Sequence, residues 1–169
     1  IGTIKNFYET NLDLAALQPR FNFYDEQSPI FTHKRDLPAS KFNGCTLTHA
    51  LAADGCIVSD ARISDSLIGI RTIIRAGATL DGVFSMGADH YETPDELSEN
   101  RSLDRPPIGI GRGTAIRRAI IDKNARIGDG CRVGLDGDYS QPADFENYYV
   151  RDGVIIVPKN ATIPAGTVI

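Results

Sequence analysis

Two lysines in a repeated motif are the residues of this chain best suited to bind an anion. Lys123 lies in residues 121–133, Lys159 lies in an imperfect copy at residues 157–169, and Lys-Asn-Ala recurs at the same place in both. If the copies stack as neighbouring coils, the two lysine backbones lie roughly 4.8 Å apart. Two ammonium groups at that separation repel by about 1 kcal/mol in water and by roughly 3 to 4 kcal/mol at an effective dielectric near 20. A phosphate or carboxylate between them would remove this repulsion.

The residues alone leave two interpretations of this lysine pair open. In one, an anion lies between the lysines and Asp122 orients one of them; in the other, both side chains simply extend into water. A further group of positive charge, His33-Lys34-Arg35, lies upstream. Five arginines also make this end of the chain more basic than the rest, namely Arg112, Arg117, Arg118, Arg126 and Arg132.

The period of the aliphatic residues predicts the scaffold that carries these lysines. Steps of six residues, with five at one corner of each coil, fit neither a helix nor a single strand. They predict a parallel β-helix of about five coils, each with three short strands. The predicted inward positions are Ala52, Val58 and Ile63; Ile68, Ile74 and Leu80; Met86, Ile110 and Ile116; Ile121, Ile127 and Val133; Val157, Ile163 and Ile169.

The chain before and between the coils follows other patterns. Residues 1–17 predict one helix with Thr3 as N-cap, and residues 18–41, which hold three prolines, predict an irregular linker that packs by its aromatics. We therefore divide the chain into a helix and linker (1–41) and a β-helix domain (42–169). Two insertions break the coils at 87–109, where residues 91–97 indicate a short acidic helix or turn, and at 135–153. Each is a binding or assembly loop or a solvated excursion.

Composition limits the classes of partner and chemistry. The 169 residues carry a net charge of −4, so no global basic field attracts nucleic acid. No apolar run approaches the roughly 18 residues that span a membrane, so we expect no membrane partner. Three well-separated cysteines without metal-type spacing indicate reduced thiols, no metal site and a cytoplasmic protein. His33, His49 and His90 are too far apart in sequence to predict an acyltransferase base or a three-histidine metal site.

Several motifs resemble the C-terminal third of a known enzyme family. The most specific are Met86-Gly87-Ala88-Asp89-His90-Tyr91-Glu92-Thr93 and Ile120-Ile121-Asp122-Lys123-Asn124-Ala125-Arg126-Ile127-Gly128. The others lie from one end of the chain to the other, so that the resemblance spans essentially the whole chain: Ile1-Gly2-Thr3-Ile4, Asn11-Leu12, Phe23-Tyr24-Asp25, Leu37-Pro38-Ala39-Ser40-Lys41, Pro107-Ile108-Gly109-Ile110-Gly111 and Gly166-Thr167-Val168-Ile169. The family is glucose-1-phosphate adenylyltransferase (ADP-glucose pyrophosphorylase), and the chain is more similar to its plant and cyanobacterial branch than to the enteric one.

The resemblance implies a left-handed β-helix at the end of a larger enzyme. Family members make ADP-glucose and pyrophosphate from ATP and glucose 1-phosphate with Mg²⁺, for glycogen or starch synthesis. Catalysis belongs to an N-terminal nucleotidyltransferase domain that this sequence lacks. We therefore expect no catalytic residue, cofactor or activity in this chain alone. Because the chain begins at Ile1 and not Met, we interpret it as a processed product or an excised piece.

The resemblance also implies site residues and partners. Lys123 and Lys159 match the family's two activator lysines, Asp122 the aspartate beside the first, and Arg35 an arginine that contacts anions, whereas His33 has no match. The implied partners are the catalytic domain, further subunits of a homo- or hetero-tetramer, and a sugar phosphate, phosphoglycerate or phosphate. Residues 135–153 depart from the family pattern and leave the effector open. The location would be the cytoplasm, or a plastid in a plant. Alternatives are a purely structural assembly module and an independent hexapeptide-repeat transferase.

Overall fold

Short parallel strands wind around one axis in the computed structural model, which describes residues 2–135 and 137–169. In chain order the elements are α1 (Ile4–Asp13), β1 (Lys41–Asn43), β2 (Thr46–Ala52), β3 (Ile57–Ser59), β4 (Arg62–Ile68), β5 (Ile73–Ile74), β6 (Thr79–Ser85), α2 (Pro94–Ser102), β7 (Gly109–Ile110), β8 (Ala115–Ile121), β9 (Arg126–Ile127), β10 (Arg132–Val133), β11 (Ala143–Asp144), β12 (Tyr149–Arg151), β13 (Val154–Val157) and β14 (Thr162–Ile163).

Two sheets form the three faces of the resulting prism. One face is a parallel sheet in the order β1-β3-β5-β7-β9-β14. The other two faces share the long strands β2, β4, β6 and β8, which pair in parallel and bend in the middle. The bend falls at residues in the left-handed backbone region: His49 (φ 47°), Asp65 (φ 46°), Gly82 (φ 62°) and Arg118 (φ 49°). One seven-residue strand therefore turns a corner and contributes to two faces.

The aliphatic residues predicted to point inward form the core, with two exceptions. Thirteen of the fifteen predicted positions are buried, from Val58 through Ile63 and Leu80 to Ile169. Ala52 is exposed, although it pairs with Ile68 in the predicted register, because β2 is the end strand of its sheet. The predicted mainly β fold of stacked coils, after a short helix and an irregular linker, is confirmed.

The second exception, Met86, corrects the register of the third coil. Ser85 and not Met86 pairs with Ile68 on one side and with Ile121 on the other, so the step from Leu80 is five residues. The buried Ser85 hydroxyl lies 3.3 Å from the hydroxyl of Thr72. The hydrogen bond between them gives the serine a polar partner inside the prism. Met86 packs instead against an apolar cluster on the outside of the coils.

That outer cluster binds α1 to the prism. Phe7, Tyr8 and Leu12 pack against Phe84 and Ile120, and the Tyr8 hydroxyl donates a 2.6 Å hydrogen bond to the carbonyl oxygen of Gly82. The Thr3 hydroxyl accepts from the Asn6 N–H, which confirms the predicted N-cap. The helix ends at Asp13 rather than near residue 17, and Ile1 lies outside the described residues.

Residues 18–40 contain neither helix nor strand, as predicted for the linker, and β1 begins at its last predicted residue, Lys41. Their aromatic side chains do not pack as predicted, however. Phe31 is 91% exposed and Tyr24 78% exposed, and only Phe21 and Phe23 meet edge to face, with ring centroids 5.5 Å apart. Within the described chain, no helix has the length and apolar character to cross a membrane.

The two insertions have defined structures. The first carries α2, which begins at Pro94, somewhat after the predicted position, and is capped reciprocally by Thr93 and Glu96. The second forms β11 and β12, which extend β13 as an antiparallel hairpin on the edge of the longer sheet. The second insertion is therefore attached to the coils by regular strand pairing.

Candidate anion site

One corner of the prism brings Lys123 and Lys159 onto neighbouring coils. Strand β13 pairs in parallel with β8, with Val157 opposite Ile121, so the turns that follow these strands stack on each other. The backbone N–H of Asn160 donates to the carbonyl oxygen of Lys123 at 3.0 Å. The two lysines are thus one coil apart at equivalent turn positions.

The ammonium groups of both lysines converge on the carboxylate of Asp89. Lys123 Nζ lies 3.0 Å from Asp89 Oδ1, and Lys159 Nζ lies 3.0 Å from Asp89 Oδ2. Asn124 adds two hydrogen bonds: its Nδ2 donates to Asp89 Oδ2 at 3.0 Å, and its Oδ1 accepts from the Asp89 N–H at 2.8 Å. Hydrogen bonds from Lys123, Lys159 and Asn124 hold the pKa of the Asp89 carboxyl well below its usual range.

This cluster is accessible to solvent. The side chains of Lys123, Lys159 and Asp89 are 34%, 50% and 40% exposed, respectively. The lysines therefore neither fan separately into water nor lie buried; they share one carboxylate at the surface. Such a pair of point charges can bind any small oxyanion that fits between them.

Asp89 is the functional candidate that the sequence interpretation missed. It lies in the Met86–Thr93 motif, but the resemblance gave it no role. In the structure the Gly87 carbonyl oxygen accepts a hydrogen bond from the Asn124 N–H, so the third-coil turn lies directly below Lys123. The repeat alone could not place Asp89 there, because Gly87 and not Asp89 occupies the position equivalent to the two lysines.

Asp122 lies beside the pair but contacts the backbone and not an ammonium group. Its Oδ1 accepts a 2.6 Å hydrogen bond from the Lys123 N–H. The carboxylate thereby fixes the turn from which Lys123 extends. The structure thus brings Asp122 to the main chain of this turn, whereas the two ammonium groups contact Asp89.

Arg35 is not brought to the lysine pair. It lines a separate cavity of about 700 Å³, together with His33, Asp54 and Ile70, at the corner of the first two coils. Because Lys123 and Lys159 occupy the fourth and fifth coils, roughly 10 Å or more of prism separates this cavity from them. Within this chain, Arg35 does not complete the site.

The arginines that made this end look basic are largely engaged elsewhere. Arg117 pairs with Asp81 at 3.2 Å, and the Arg118 Nε donates to the Gly153 carbonyl oxygen at 3.3 Å. The two cationic groups that converge at this corner are those of Lys123 and Lys159.

Arg126 pairs with Glu92, whose side chain is only 5% exposed. Arg126 Nη1 lies 2.6 Å from Glu92 Oε1, which also accepts from Asn100 Nδ2 at 2.6 Å, while Glu92 Oε2 accepts from the Ile108 N–H at 2.8 Å. Glu92 thus ties both ends of the first insertion to the fourth coil. This anchor lies three residues after Asp89 and limits where that carboxylate can go.

The structure shows no set of metal ligands in the described ranges 2–135 and 137–169, where no three His, Cys, Asp or Glu side chains converge. The three histidines also stay apart: His49 contacts Asp65 at 3.1 Å on the long strands, and His90 lies 3.8 Å from Glu96 on the first insertion.

The fold and the corner cluster define a β-helix domain of stacked six-residue repeats with a surface site suited to anions. Residues 35–168 match the family model described as the GLGC left-handed parallel β-helix domain. The chain belongs to this family, and its coils are accordingly left-handed. The match supports the resemblance to the C-terminal domain of ADP-glucose pyrophosphorylases, whose catalytic domain would be its partner.

Proposed function

We propose that this chain is the regulatory and oligomerisation domain of a glucose-1-phosphate adenylyltransferase of the plant and cyanobacterial type, and that its lysine corner binds an anionic effector. The observation that carries the proposal is the convergence of Lys123 and Lys159 on one carboxylate, each at 3.0 Å. Two lysines of one domain are thus already arranged around an oxyanion. Sugar phosphates, phosphoglycerate and inorganic phosphate present the same kind of oxygen.

The effector acts by favouring one arrangement of domains. An anion held by the lysines at the surface can also contact basic groups of the catalytic domain. If it binds one arrangement of the two domains more tightly, it shifts the population of the enzyme toward that arrangement. The β-helix then contributes to sensing, and the reaction itself, with its Mg²⁺, takes place in the other domain.

The decisive experiment removes the lysines from the full-length enzyme. We expect Lys123→Ala together with Lys159→Ala to weaken effector activation by roughly tenfold, because two exposed ion pairs, each contributing up to about 1 kcal/mol, are lost together. Turnover without effector should stay nearly unchanged. Lys5→Ala is the matched control, because Lys5 is exposed and pairs only weakly with Glu9 at 3.9 Å. Effector dependence equal to that of the parent enzyme would contradict the proposal.

A second candidate function, subunit assembly, is favoured by the ends of the prism. Strand β2 ends one sheet and β1 ends the other, and Phe42, Leu47 and Ile57 beside them are 39%, 44% and 39% exposed. At the opposite end, Val168 is 61% exposed. Open strand edges with apolar side chains are templates for another chain.

Sedimentation of the full-length protein separates the two functions. We expect Leu47→Arg to reduce subunit association while anion binding at the lysine corner persists. Deleting the residues beyond Asp152 tests the other end. A tetramer that survives both changes would show that neither edge is needed for assembly.

A further inference from the structure

We propose that Asp89 is a tethered competitor for the anion site: its carboxylate occupies the ligand position and selects dianions over monoanions. This inference rests on the proposed anion-binding function and adds to it the charge class of the ligand. An effector then binds by displacing the Asp89 carboxylate from the two lysines. Asp89 is then the residue that sets which anions can enter.

The contacts of Asp89 are those expected of a bound oxyanion. Each carboxylate oxygen takes one ammonium group at 3.0 Å, and Asn124 Nδ2 provides a third donor at 3.0 Å. A phosphate oxygen pair has a similar separation and would use the same donors. Each ammonium group has three N–H donors, but the position between the two groups holds one oxyanion, so a free anion can occupy it only when the Asp89 carboxylate moves out.

The charges at the corner predict selectivity. Two lysines carry two positive charges, and Asp89 neutralises one of them. A free monoanion carries the same single negative charge as Asp89, so it neutralises no more of the lysine charge than Asp89 does. It also competes at a disadvantage, because Asp89 is attached to the chain and acts at a high effective concentration. A dianion such as a phosphate monoester at pH 8, above its second pKa near 6, neutralises both lysines. The exchange therefore favours dianions.

Asp89 is positioned to leave without unfolding its neighbours. Its side chain is 40% exposed, and exposed ion pairs are weak enough that their exchange changes binding by only a few-fold each. The residues on either side are fixed: Gly87 is buried against the second-coil turn, and the nearly buried Glu92 binds Arg126. The Asp89 side chain can swing into solvent while the insertion stays attached.

The test compares anion binding by the 169-residue chain and its Asp89→Asn variant. Isothermal titration and amide shifts of Lys123 and Asn124 would be followed with inorganic phosphate and with acetate, at pH 8 and constant ionic strength. We expect Asp89→Asn to bind phosphate roughly tenfold more tightly and to bind acetate measurably. Asp65→Asn is the control, because it removes the same charge from an exposed carboxylate that contacts His49.

The outcomes separate this inference from the function on which it rests. If phosphate binding requires Lys123 and Lys159 but is unchanged or weakened in Asp89→Asn, Asp89 is no competitor, whereas the anion site stands. If phosphate binding persists after both lysines become alanine, the anion site itself is refuted. An equal increase in phosphate affinity in Asp65→Asn and Asp89→Asn would show that the effect comes from the change in net charge alone, and would overturn the inference.

Discussion

The side-chain amide of Asn124 donates a hydrogen bond to the side-chain oxygen of Asn160, 3.2 Å away on the next coil. Both residues have left-handed backbone angles, with φ of 60° and 63°. Asparagine tolerates this region better than other residues with a Cβ, except aspartate. The Lys-Asn-Ala repeat is therefore first a turn sequence, and it places each lysine on the outside just before the turn residue.

Asn124 and Asn160 should differ in importance although their backbones are equivalent. Asn160→Ala loses left-handed tolerance and the amide contact, and we expect a cost of about 1 to 2 kcal/mol in the free energy of unfolding. Asn124→Ala also loses two hydrogen bonds to Asp89 and should cost about 1 kcal/mol more. Urea denaturation checks this order. Equal costs would mean that the Asp89 contacts contribute no stability.

Gly87 should be far less replaceable than Gly113, although both have positive φ, 89° and 61°. A Cβ at Gly87 would lie 2.1 Å from the Ile70 carbonyl oxygen, whereas a Cβ at Gly113 meets nothing within 4 Å. We expect Gly113→Ala to cost about 1 to 2 kcal/mol, the strain of the backbone alone. Gly87→Ala must also shift the turn that carries Asp89.

Thermal melting and the amide shifts of Lys123 report the two effects of these glycine substitutions. We expect the lower melting temperature in Gly87→Ala, together with shifts at Lys123 that Gly113→Ala does not produce. Similar melting temperatures for the two variants would contradict the close contact with Ile70.

The sequence predicted the parts of this fold that repeat and missed those that depend on a single register step. A six-residue period places Ile121 beneath Val157 because each coil buries the same side of the chain. It cannot distinguish Met86 from Ser85, because a buried serine is acceptable only when a partner such as Thr72 is present. That partner lies on a different face of the prism.

The same distinction between repeating and non-repeating segments applies to the residues of the candidate anion site. The lysine pair follows from the repeat, because equivalent positions of adjacent coils must stack. Asp89 and Arg35 lie in non-repeating segments, where spacing in sequence carries no register. Their positions depend on how an insertion and a linker are attached, and for Asp89 that attachment includes the nearly buried pair of Glu92 and Arg126.

Removing Glu92 should be the most costly single change in the first insertion. Glu92→Ala leaves Arg126, 16% exposed, without its carboxylate, and leaves the Ile108 N–H and Asn100 amide without an acceptor. Breaking a buried pair in this way costs about 3 to 5 kcal/mol.

Glu9→Ala is the matched control for Glu92→Ala. The Glu9 side chain is 57% exposed and lies 3.9 Å from Lys5, so we expect a change within about 0.5 kcal/mol in urea denaturation. A small cost for Glu92→Ala, comparable to that of Glu9→Ala, would show that the insertion is held by other contacts.

The buried Tyr8 hydroxyl should make the docking of α1 sensitive to alkaline pH. Burial raises the pKa of Tyr8 to about 12 from the ordinary 10.0, so the folded state holds this proton more tightly than the unfolded state. Its contribution to stability is complete below pH 10 and is lost as pH rises toward 12. Tyr8→Phe loses the hydrogen bond to Gly82 and should cost about 1 kcal/mol in the free energy of unfolding at pH 8. Its urea midpoint should decline less steeply than that of the parent chain between pH 9 and 11.5.

Tyr24→Phe is the control, because Tyr24 is 78% exposed, and its urea midpoint should change with pH as in the parent chain. The same decline with pH in the parent chain and in Tyr8→Phe would contradict the assignment to Tyr8.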